Sequence, residues 1–149
     1  MKRKLQDLNE LRSIIEQLRE EQIETRGQWT AAQILYHLAS AFEGSLNRLP
    51  VGYPLLVRRL VRPFRWMITK YRFPPWLPIP AAIKDRLDPP ADVCFEEQQT
   101  RLLRAINLFT DHADDHPPHP VLGELNRSEW IGFHLSHSSH HLSFIRRVD

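Results

Sequence analysis

Apolar residues in this chain recur at helical steps rather than in strict alternation, and that period decides what the chain can fold into. Leu5, Leu8, Ile15 and Leu18 share one face, with Glu and Arg between them. They predict an amphipathic helix over 4–21. Gly27 and its polar neighbours read as the connection that follows. Thr30-Ala31-Ala32-Gln33 has the form of a capping box, in which the threonine hydroxyl takes the amide three residues on and the glutamine reaches back. It opens a second helix, 31–49, that must stop before Pro50. Its stripe is Ile34, Leu38, Ala41, Phe42 and Leu49.

Two more helices complete the pattern. Phe95, Leu102, Ile106 and Phe109 fall on one face of a third, 92–113, with Asp92 as its cap. Ser128 caps a last one over 129–147. Between the second and third lies 51–90, where Pro54, Pro63 and the run Phe73-Pro74-Pro75-Trp76-Leu77-Pro78-Ile79-Pro80 forbid one continuous helix. The segment reads as an elaborated crossover, too short and proline-rich to own a core. Five glycines against twelve prolines fit long helices joined by stiff connectors better than a turn-rich sandwich. The expected fold is all-α: a four-helix bundle with a Pro- and Arg-rich crossover, forming one domain over 1–149.

A formal charge of +2 is near balance, so the chain as a whole is no polycation, and no nucleic-acid recognition motif is present. The single cysteine, Cys94, has no internal partner; it reads as a small buried hydrophobe rather than a nucleophile. Residues 1–12 are charged throughout and lack the apolar centre of a signal peptide, which makes cytoplasmic residence the expectation.

Chemistry concentrates in the histidines, seven of eight of which lie between His112 and His141. On a helical wheel Trp130, His134, His137, His141, Ile145 and Val148 occupy one arc, and Ser136, Ser139, Ser143, Arg146 and Arg147 the other side. His140 faces away from His141 and reads as surface. An inward histidine is usually a hydrogen-bonded core residue. A pair four apart is different, because both imidazoles can reach one ion. A third ligand must come from another helix, and His37 is the one histidine elsewhere in the chain, beside the small residues Ala41 and Gly44. His37, His137 and His141 are therefore the expected ligands of one divalent metal ion. Three imidazoles suit zinc or nickel and leave coordination positions open, as in catalytic sites. Water or a thiolate would be the nucleophile activated there. His119 and His134 are the candidates for proton handling or for supporting the ligands, with His119-Pro120 alternatively a rigid loop anchor and His134 alternatively core.

The residues also resemble a known group. Trp29-Thr30-Ala31-Ala32-Gln33-Ile34-Leu35-Tyr36-His37-Leu38 is similar to the second-helix signature of the DinB/YfiT-like superfamily. His119-Pro120-Val121-Leu122-Gly123-Glu124-Leu125-Asn126-Arg127-Ser128-Glu129-Trp130, leading to His137 and His141, resembles an uncharacterised branch of it. The resemblance implies a bundle of up-up-down-down type with an open three-histidine site mapping onto His37, His137 and His141. It also implies a metal-dependent enzyme of the thiol S-transferase, isomerase or hydrolase kind, with a low-molecular-weight thiol among its small-molecule substrates and a homodimer as its assembly. Leu142-Ser143-Phe144-Ile145 stands where many relatives carry a glutamine, and the crossover is longer than in the simple version.

Two other classes of function remain open at this stage. Arg58, Arg59, Arg62, Arg65 and Lys70 interleave with apolar residues in a basic amphipathic segment, 55–72, that can lie on an anionic membrane surface or simply pack on the bundle. A non-catalytic binding or stress-response protein stabilised by its metal is the other.

Overall fold

The computed structural model describes residues 5–47, 56, 59, 63, 88–112 and 116–148. The crossover expected over 51–90 and most of the basic segment 55–72 lie outside the described residues. Four helices carry the described fold: α1 (Leu8–Glu16), α2 (Ala31–Leu46), α3 (Phe95–Asp111) and α4 (Arg127–Leu142). A short ribbon of β1 (Ile23–Thr25) and β2 (Ile145–Arg147) joins them. The architecture is an all-α bundle with one two-stranded appendage.

α1 is shorter than the periodicity predicts. Asp7 caps it, its carboxylate accepting from the Glu10 amide, and after Glu16 the chain tightens into a single 3-10 turn at Glu20–Gln22. Leu5 and Leu18 are still buried, so the stripe is satisfied by chain that has left the helix. α2 begins as expected. Thr30 Oγ1 accepts from the Gln33 amide, and the Gln33 side chain accepts from the Thr30 amide.

The expected caps of the last two helices are corrected. Cys94, not Asp92, is the residue before α3, and its side chain makes no capping bond. Cys94 is also exposed, not buried. α4 starts two residues early because Asn126 and Glu129 form a full capping box, a stronger pair of bonds than Ser128 alone can make. It also ends early. Residues 145–147, predicted as its last turn, are the strand β2, antiparallel to β1 with Ile23 opposite Arg147 and Thr25 opposite Ile145. Ile145 is buried as predicted, but by the ribbon rather than by the helix.

The core joins all four helices. Leu11 and Ile15 of α1, Ile34, Leu35, Leu38 and Phe42 of α2, Leu102, Ile106 and Phe109 of α3, and Trp130 and Leu142 of α4 are all buried in one cluster. α2 packs most extensively on α3. There Arg101 grips Glu43 through two hydrogen bonds of 2.8 and 2.6 Å, and its guanidinium lies over the Tyr36 ring. Gln99 donates to the carbonyls of Ile15 and Leu18, tying α3 to the end of α1 and the turn after it. Arg127 donates to the carbonyls of Thr110 and His112, tying the end of α3 to the start of α4.

α4 is buried around most of its circumference. Ser136 and Ser138, off the histidine face, are as inaccessible as the histidines. Ser139 accepts from the Leu5 amide, so the N-terminal segment lies along that side. Among the described residues no helix is long and apolar enough to cross a membrane.

Candidate metal centre

Two polar pairings fix how α4 lies against α2. The rings of His37 and His141 are 4.5 Å apart, and two turns further along α2 Ser45 meets His134 at 3.0 Å. Residue numbers rise on one helix as they fall on the other, so the two run antiparallel. That arrangement brings His37 opposite the His137–His141 pair. One ligand atom from each of His37, His137 and His141 lies within 4.8 Å of the others. The Nε2 atoms of His37 and His137 are 3.1 Å apart. Two nitrogens bound to one tetrahedral zinc at about 2.0–2.1 Å are separated by about 3.3 Å, so this pair already has the spacing that a shared ion requires. The structure thus places the three histidines predicted as ligands close enough to hold one ion.

The protonation state suits that task. Burial, then the neighbouring His141 and His37, hold His137 well below the ordinary histidine range. Burial, then His37 and His140, pull His141 down to about 2. Metal ligation needs the neutral imidazole, and the fold supplies it at neutral pH. Trp29 roofs the group, its indole 4.9 Å from His37 and stacked on His141 at 5.7 Å. Phe133 stacks on the His137 ring from the other side at 5.4 Å.

The two remaining candidates are committed elsewhere. His134 is fully buried, stacked on Phe42 at 3.8 Å. Ser45 spends its own proton on the Phe42 carbonyl, so His134 Nε2 must donate to the Ser45 oxygen and Nδ1 is the bare nitrogen. Burial, then His119 and His116, hold His134 well below its usual range. His119 Nδ1 accepts from the amides of Val121 and Leu122, and its backbone pairs with Gly123 in both directions. Gly123 has φ 77°, which closes this tight loop. These bonds tie the His119 ring into the loop that feeds α4.

His140 is not a plain surface residue. It is half-buried, its ring 5.0 Å from His141 and 5.3 Å from Phe144. A cavity of about 470 Å³ opens there, with Arg26, Trp29, Asp88, His140, His141 and Phe144 on its wall. His141 links that cavity to the three-histidine group. Nothing in the residue pattern singles out Ser45 or Phe133 as neighbours of histidines. Trp29 alone carried a signal, because a bulky residue just before an N-cap folds back over the first turns of its helix.

No curated protein and no solved structure matches this sequence. One family does, over residues 1–148, and the chain belongs to it: the family described as Protein of unknown function (DUF1569).

Proposed function

We propose that this chain is a DinB/YfiT-like protein that holds one divalent ion, zinc or nickel, on His37, His137 and His141, and acts on a small-molecule substrate as a transferase, isomerase or hydrolase. The observation that carries the reading is the convergence of three imidazoles from two antiparallel helices to within 4.8 Å. One ion can bond all three imidazoles at once, whereas the 3.1 Å contact of His37 with His137 joins only two. Three nitrogen donors leave room for water or substrate, unlike a closed structural site.

A divalent ion bound there supplies Lewis acidity and lowers the pKa of the nucleophile that joins it. The chain's own residues do the rest. Trp29 and Phe133 wall the ligands and keep their rings in place, and His141 also lines the cavity beside Trp29. A low-molecular-weight thiol fits this scheme as co-substrate. The working unit in this reading is one domain, paired as a homodimer in the cytoplasm.

The deciding experiment is elemental analysis of full-length protein purified without a nickel column, beside His37→Ala and His141→Ala. The wild type should carry near-stoichiometric zinc or nickel, or take it up on titration, and both variants should lose it. A wild type that carries none and gains none ends the metal reading. A second reading follows from the ligands bridging α2 and α4, since an ion there clamps the bundle whether or not it catalyses. Metal-dependent melting with no turnover in thiol-transfer and hydrolysis screens selects that reading instead.

A further inference from the structure

The cavity beside His141 has a chemical character of its own. Its volume, about 470 Å³, is that of a small-molecule site. Two aromatic side chains on its wall are not fully packed: Trp29 is half-buried and Phe144 is exposed. Gly27, with φ 119°, turns the chain between Arg26 and Trp29, and Phe144 Cδ1 stands only 3.8 Å from where a Cβ would sit there. The left-handed turn that the glycine allows brings both aromatics to the same opening.

The wall carries one cation and one anion that do not meet. Arg26 and Asp88 both line the cavity, yet they form no ion pair with each other, and among the described residues the Arg26 guanidinium has no carboxylate partner. The Arg26 amide donates to the Phe144 carbonyl, which fixes the backbone from which the guanidinium projects. Exposed aromatic faces beside an unpaired guanidinium are the features that recognise a flat organic anion.

We propose that this cavity takes a small organic anion with a flat apolar body: its anionic group pairs with Arg26, its body lies against Trp29 and Phe144, and its reactive end is directed toward His141. Only the last of these contacts rests on the metal reading.

Three probes of one skeleton test it by isothermal titration into the zinc-loaded and the metal-free full-length protein: 3-phenylpropanoate, 3-phenylpropylamine and propanoate. The first should bind, and each of the others should bind at least about tenfold more weakly, lacking either the charge or the ring. Arg26→Gln should erase the preference for acid over amine, and Phe144→Ala should shrink the preference for the phenyl acid over propanoate. Both positions are exposed, and zinc content and melting should match the wild type. The proposal is overturned by an amine that binds as tightly as the acid, by an Arg26→Gln protein with undiminished affinity for the acid, or by an acid that does not bind. A wild type that takes up no zinc sinks the metal reading alone, because titration of the metal-free protein still decides what the cavity holds.

Discussion

The Nε2 atoms of His37 and His137, one hundred residues apart in sequence, face each other at 3.1 Å in the buried seam between α2 and α4. Such a distance serves either one shared proton or two bonds to one ion. The second use adds His141, which a proton bridge would leave out. An ion that binds only the folded protein at a hundred times its Kd stabilises by about 2.7 kcal/mol. For a chain of this size that corresponds to a rise in Tm of roughly 5–10 °C. Thermal melts with zinc and with chelator should differ by about that much, and His141→Ala should remove the difference. Identical melts would show that no ion bridges the helices.

His134 is expected to matter for folding and not for metal. Removing the acceptor of its buried N–H by Ser45→Ala should cost about 1–3 kcal/mol in denaturant unfolding. His134→Ala, which leaves a hole against Phe42, should cost about 2–4 kcal/mol. Zinc content should stay at the wild-type level in both. A folded His134→Ala protein without zinc would move this residue into the site.

Acid should destabilise the metal-free protein in a defined window. His134 and His137 are held well below their ordinary value of 6.5 when folded. The unfolded chain therefore binds more protons than the folded one below that pH, and stability falls as pH drops through it. From pH 7.5 down to 5.5 each of these two groups should cost about 1 kcal/mol, while stability between pH 7 and 8 should be flat with respect to them. Urea titrations at several pH values measure this. A metal-free protein equally stable at pH 7.5 and 5.5 would mean that these imidazoles are not buried neutral.

The start of α4 can be tested apart from function. Asn126→Ala removes the side chain that accepts from the Glu129 amide and should cost about 1 kcal/mol. Ser128→Ala, at an exposed position in the first turn, should stay within about 0.5 kcal/mol. The opposite ranking would put the cap where the sequence pattern alone suggested.

The helices and the histidine group were legible because both are written in one local period. Thr30 to Gln33 spells its own capping box, and His137 and His141 share a face whatever the fold. His37 could be chosen because the other histidines lie far along the chain. The helix ends were less legible. Asn126 and Ser128 are both good caps, and the reciprocal pair of bonds between Asn126 and Glu129 separates them. Ile145 fits the wheel of α4, yet its neighbours pair with β1, a contact between segments 120 residues apart that no local pattern encodes. Cys94 was misjudged because cysteines as a class are usually buried, whereas this one stands at the solvent-facing start of α3. The pairing of His134 with Ser45 depends on how α2 and α4 are registered, which is a property of the packed bundle rather than of either helix.

The ribbon of Ile23–Thr25 with Ile145–Arg147 sets a reference point from which both arms of the histidine group are measured. His37 stands twelve residues after Thr25 along one arm, and His141 four residues before Ile145 along the other. Helical stretches transmit any change of length as rotation, about 100° per residue. Losing a single residue of α2 between Ala31 and His37 would therefore swing that imidazole off the common point while His137 and His141 stayed put. The two short strands act as a gauge block, and the tolerance of this protein to insertion or deletion should be lowest along α2 between Ala31 and His37 and higher in the exposed loop around Gly27.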